Sequence, residues 1–194
     1  MPNSGTKPVE LDELLAAEYN YIAQTANQAN EDRARVSSFY LVAVGSLVAG
    51  LLSTQLLDAG NFTAAVKLMF GGLFIMLTLL GASTVMQLAR LRAAWYESML
   101  AMNQIKDFAV NQNPELSDAF RWKTSTLPPR FKLRSVSFYQ AIQVSMIGGL
   151  MFAAGVFFLQ QAFFSISLLT WTVSVVSGGA ALYLQLVVYR KILD

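Results

Sequence analysis

The sequence predicts an all-α, polytopic membrane protein with four transmembrane helices, the first two extended into a cytoplasmic helical hairpin. Three observations carry this expectation. Of 194 residues, 55% are hydrophobic and only 13% are charged, against roughly 25% charge in an average soluble domain; the mean hydropathy is +0.45. So little polar surface cannot cover a sphere, and the excess must face lipid. Charge is also missing from long stretches: 36–57 and 68–89 hold none over 22 residues each, and 135–189 none over 55. Finally, all five prolines (2, 8, 114, 128 and 129) lie outside the spans read below, which suits backbone that must hydrogen-bond internally in lipid.

Taken in order, residues 1–9 are expected to be a disordered N-terminus. Residues 10–35 hold neither Pro nor Gly and begin with Asp12 and Glu13 in the first turn, where the helix dipole favours acids. Leu11, Leu15, Tyr19, Ile22, Ala26 and Ala29 recur at helical spacing, an apolar stripe. Nothing interrupts the chain before span 1 at 36–57, so one helix is expected to run through both. Twenty-two helical residues cover about 33 Å, enough for a hydrocarbon core of about 30 Å. Span 2 is read at 66–89, and Leu88, Leu91, Trp95, Met99, Met102, Ile105 and Ala109 continue its spacing until Asn113-Pro114 ends it. The stripes on 11–29 and 88–109 are expected to cover each other, with Ile22 and Met102 near the middle of the seam. An amphipathic helix lying flat on the membrane is the alternative. It calls for a basic polar face, and residues 10–30 hold four acids and no base.

Residues 113–134 read as a basic and aromatic linker at the membrane surface, and 135–194 as a second transmembrane hairpin. The 55 uncharged residues are too long for one span, and Gln160-Gln161 is the most polar point near the middle. Helices are therefore expected at 136–159 and 166–188. In the linker, Arg121, Lys123, Arg130, Lys132 and Arg134 alternate with Phe120, Trp122 and Phe131, a pattern suited to lipid headgroups. No nucleic-acid module is visible.

Every basic residue of the 14 except Lys67 lies on the side of the N-terminus, the 90–134 connection and the C-terminus. The positive-inside bias places that side, and both termini, in the cytoplasm. No n-region and cleavage site precede span 1, so no removable signal peptide is expected. Asn61-Phe62-Thr63 matches a glycosylation tripeptide on the opposite side, and a pattern so short this near the membrane reads as accidental.

Cysteine and histidine are both absent. That excludes disulfides, thiol nucleophiles, Cys/His zinc sites, His-ligated haem and Ser-His-Asp chemistry. The acids form no metal-ligand pattern and no Gly-rich phosphate loop is present, so no catalytic, cofactor or metal site is expected, and no enzyme. Apart from Lys67 at the edge of the second span, no acidic or basic residue lies within the spans, which speaks against a charge-coupled pump. What the spans do hold is small: Gly45, Ser46, Ala49, Gly50 and Ser53 in the first, Gly71, Gly72 and Gly81 in the second, Gly148, Gly149 and Gly155 in the third. Such residues favour close helix packing. In the fourth, Thr170, Ser174, Ser177, Gly178, Ala181 and Gln185 share one polar face, which suits either helix packing or the lining of a pore; Gln140 is open to the same two readings. Leu15, Tyr19, Ile22, Trp95 and Met102 are the candidate cytoplasmic interaction residues. Glu31 and Arg35 stand at i,i+4 with the acid first, the order that favours a local ion pair on a solvated helix.

The layout of 10–112, together with Glu18-Tyr19-Asn20-Tyr21, Arg33 and Tyr40, then Tyr96-Glu97, Asn103, Ile105-Lys106 and Phe108, resembles the SLATT-type membrane effector domains of bacterial defence systems. The resemblance covers about half the chain and carries no transferable site. It implies a bacterial inner-membrane protein whose oligomer perturbs the bilayer when a partner signals. Two functions are consistent with the sequence. One is a homo-oligomeric channel or membrane-perforating effector controlled through its cytoplasmic helices. The other is a non-conducting accessory or scaffold subunit whose cytoplasmic helices dock a protein partner.

Overall fold

The computed structural model describes residues 10–53 and 62–194. Among them, four helices are long and apolar enough to cross a membrane: α1 (Leu11–Leu52), α2 (Ala64–Gln112), α3 (Val136–Phe163) and α4 (Leu168–Leu193). The N-terminal residues 1–9, the far end of the expected first span at 54–57 and Asn61 of the glycosylation tripeptide lie outside the described residues.

With 42 and 49 residues, α1 and α2 are about 63 and 74 Å long, roughly twice a hydrocarbon core. Thr63 caps α2, its hydroxyl accepting from the amide of Val66 at 3.4 Å. The helix stops at Asn113, whose side chain accepts from the Glu115 amide and opens a short 3-10 turn at Pro114–Asp118. A second such turn covers Thr124–Thr126. After the reversal at the end of α2, Arg134 holds φ at 60° in the left-handed region, and Ser135 caps α3 by accepting from the Phe138 amide. A capping box of Ser167 and Thr170 starts α4.

The turn between α3 and α4 falls at 164–167 rather than at Gln160-Gln161. Helix α3 runs through both glutamines to Phe163. Gln160 is tolerated there because its amide nitrogen donates to the Val156 carbonyl and to the Ser174 hydroxyl of α4 at 3.2 Å. Polarity at that point is spent on the neighbouring helix, and the bend comes later.

Helix α2 is central and packs against α1, α3 and α4, whereas α1 barely meets α3. The antiparallel α2–α3 pair is in close register. Thr78 donates to the Gly148 carbonyl at 3.3 Å, and Gly71 faces Gly155 so closely that each carbonyl lies 3.3 Å from where the other's Cβ would stand. Phe62, Phe70, Phe74 and Phe158 form an aromatic cluster at one end of this pair, with Phe74 and Phe158 stacked at 5.6 Å. Phe131, Phe138 and Tyr189 form another at the opposite, basic end.

Beyond the basic end, α1 and α2 continue side by side. Ile22, Ala26 and Ala29 are buried, Leu15 and Tyr19 half-buried, and Leu11 at the tip is exposed. Lys106 of α2 stands over the Tyr19 ring at 5.9 Å. Trp95, Met99, Met102 and Ile105 are half-buried, while the buried side chains of α2 in this region are Arg92, Ser98 and Asn103. Their burial has a tertiary cause. The linker folds back along α2, where Asn103 donates to the Lys123 carbonyl and Arg92 to the Arg130 carbonyl.

Candidate functional site

Three regions concentrate polarity or close packing. The first is a cationic layer where the uncharged helices end. Arg33 of α1 donates to the hydroxyl of Ser137 on α3 and to the Asn30 side chain, while its Nε is buried without a partner. Arg92 is 7% exposed, its Nε reaches the Arg130 carbonyl at 3.3 Å, and its guanidinium lies over the Trp95 ring at 4.3 Å. The ion pairs among the described residues are Arg35–Asp32, Arg130–Glu97 and Arg190–Asp194, so neither Arg33 nor Arg92 meets a carboxylate. Burial pushes both guanidiniums below the ordinary arginine value, and repulsion from Arg33 lowers Arg92 further. A hydroxyl, a side-chain amide, a carbonyl and an indole ring take the place of acids, and together they tie α1, α2, α3 and the linker at one level.

The second region is the α3–α4 seam. Thr170, Ser174, Gly178 and Gln185 are buried in it, and Ser177 is half-buried with its hydroxyl on the Ser174 carbonyl. Gly149 and Gly178 approach each other so closely that a Cβ on either would meet the other's carbonyl at 2.8 or 2.7 Å. Gln185 lies where a Cβ on Gly148 would stand. The polar face of α4 is therefore enclosed within one chain. Ser145, Gln140 and Gln185 each keep a buried oxygen without a hydrogen-bond partner.

The third region faces outward. On α1, Ser38, Gly45, Ser46, Ala49, Gly50 and Ser53 are all exposed. A Cβ on Gly45 or Gly50 would meet nothing within 4 Å. Ser38, Gly45, Ser46, Ala49 and Ser53 fall within an arc of roughly 100°, shared with the larger Val42. This is a close-packing surface of a kind that α2 and α3 bury inside the bundle.

The linker bases occupy different heights. Lys123 donates to Ser117 and lies beside Asn103, about 20 Å along α2 from Arg90. Arg130 pairs with Glu97 at 2.9 Å, nearer the helix ends, and Lys132 and Arg134 follow next to α3. Arg121 is exposed in the turn between the two 3-10 segments. At the tip of the paired helices, Asp12, Leu15, Tyr19, Ile105, Ala109 and Phe120 line a groove of about 370 Å³.

Sequence reasoning gave Arg92, Asn103 and Ser137 no structural role. Each is an ordinary polar residue in a charged or capping stretch, and only the course of the linker and the approach of α1 to α3 give it a partner. Compared with known proteins, the chain matches no family model, no curated protein and no solved structure.

Proposed function

We propose that this chain is a membrane protein that assembles as a homo-oligomer through the outward face of α1, enclosing a polar passage controlled by the paired extensions of α1 and α2. The observation that carries the reading is the exposed run of Ser38, Gly45, Ser46, Ala49 and Ser53. In lipid there is no hydrophobic force to bury a helix against its neighbour, so small residues and hydroxyls are selected where backbones meet or polar groups face water. The polar face of α4 is already occupied by α3, which leaves α1 as the surface for a shared axis. The basic end, carrying the extensions and linker, lies in the cytoplasm by the positive-inside bias, and the membrane is a bacterial inner membrane, in keeping with the resemblance to SLATT-type effectors. Arg130, Lys132 and Arg134 meet lipid headgroups there. The passage conducts by hydration, without chemistry, so no cofactor or metal is required.

A non-conducting scaffold is the second reading, and the tip groove around Tyr19, Ile105 and Phe120 favours it by offering a protein partner a site. Ion flux from the purified protein in liposomes separates the two. Flux that appears only in preparations whose mass exceeds one chain supports the passage. A monomer, or an oligomer that never leaks with any partner, leaves the scaffold.

A further inference from the structure

On the flank of the α1–α2 pair, two adjoining grooves of about 330 and 300 Å³ share Arg35 and Gln87. The upper one is bordered by Asp32 and Arg90, the lower one by Phe39 and Leu80. From Arg90 to Leu80 the run along α2 is about 15 Å. Its charged end holds Arg35 and Arg90, the charged residues that border the uncharged stretches 36–57 and 68–89 on this side. A single groove thus offers two guanidiniums at headgroup depth and an apolar floor below them.

The charge balance selects among lipids. Asp32 takes up part of Arg35 through an ion pair at 3.2 Å. Arg90 belongs to none of the ion pairs among the described residues. Behind them, on the buried side of the same turns, Arg33 and Arg92 add two more positive charges without acids. A zwitterionic headgroup balances its phosphate with its own ammonium in this field, whereas an anionic one brings net negative charge.

We propose that the groove binds one anionic phospholipid, its phosphate between Arg35 and Arg90 and an acyl chain along Phe39 and Leu80. The proposal rests on the chain being embedded in a bilayer and does not require that the protein conducts.

Native mass spectrometry of the full chain, offered equal phosphatidylglycerol and phosphatidylcholine in neutral detergent, tests it. The protein should retain phosphatidylglycerol in preference by about fivefold or more, the scale expected of one to two surface arginines. Arg35→Gln/Arg90→Gln should bring the preference to within about twofold of none, and Arg35→Lys/Arg90→Lys should keep most of it. Asp32→Asn, which releases Arg35 and is the mildest change, should raise it. Equal retention of the two lipids by the native chain would overturn the proposal. So would an undiminished preference in the glutamine variant, or no rise in Asp32→Asn when the glutamine variant fails to fold. A disulfide between copies carrying Gln87→Cys, formed while lipid is absent from the complex, would assign the groove to a second copy instead.

Discussion

Adjacent glycines on α4 should respond in opposite ways to the same methyl group. A Cβ on Gly178 would stand 2.7 Å from the Gly149 carbonyl and 2.8 Å from the Ala153 Cβ, while a Cβ on Gly179 would meet nothing within 4 Å. Ordinary contacts lie at about 3.4–4.0 Å, so Gly178→Ala forces α3 and α4 apart by roughly half an ångström or more at their closest point. The obstacle is backbone and a short alanine, neither of which can swing aside. Overpacking of this kind costs about 1–3 kcal/mol, and separating the helices also weakens the Gln160–Ser174 hydrogen bond near one end of the seam. Gly179→Ala lacks the clash and gains up to about 1 kcal/mol of helix propensity. Both substitutions gain that propensity, so the pair should differ by the clash alone, about 1–3 kcal/mol. Reversible unfolding in mixed micelles, followed by helical circular dichroism at fixed protein concentration, measures the difference. Gly71→Ala and Gly72→Ala form a milder second pair, because Gly71 faces the flexible Leu159 at 2.6 Å and Gly72 faces open space. Equal shifts for Gly178→Ala and Gly179→Ala would refute the close α3–α4 crossing.

In the paired extensions, Ile22→Ala should cost about 2 kcal/mol or less, and Ile22→Asp more because a carboxylate enters the seam; local proteolysis of 10–35 reads it, and equal sensitivity of the two variants would contradict the packing. Arg92→Gln should release the linker at Arg130 while leaving membrane insertion intact, so trypsin should cut at 121–134 faster than in the native chain, and unchanged cleavage would show that the anchor is elsewhere. Single cysteines at Ser4, Ala59 and Ser125, introduced into a chain with no native cysteine, should leave only Ala59 open to an impermeant reagent on intact cells; labelling of Ser4 or Ser125 with Ala59 protected would reverse the orientation.

What the sequence disclosed depended on the physics that each feature obeys. Lipid excludes charge, so the uncharged runs before Arg90 and after Arg134 mark helices directly, and Asn113-Pro114 marks the end of α2 because proline cannot continue it. The small residues of 45–53, 71–81 and 148–155 signalled close approach, but composition does not tell which face meets which partner. Only the folded chain separates Gly71, which meets α3, from Gly45, which meets nothing. Gln160 misled for a related reason. A polar pair in an uncharged run looks like a turn, yet one amide satisfied by Ser174 sits comfortably inside a helix. The cationic layer was least legible. Arg33 and Ser137 are 104 residues apart in sequence, and Arg92, at the flank of the α2 stripe, gains its carbonyl partner only from the course of the linker.

Placing a thiol on the proposed axis tests the central claim most directly. Ser46→Cys and Leu150→Cys can be reconstituted separately in liposomes, the first on the outward face of α1 and the second on an exposed position of α3. Ion flux is then followed before and after a cationic methanethiosulfonate reagent. The account predicts that modification cuts the flux of Ser46→Cys and leaves Leu150→Cys and the cysteine-free chain unchanged. Flux that survives modification of Ser46→Cys, or that is blocked equally through Leu150→Cys, would contradict a passage lined by α1.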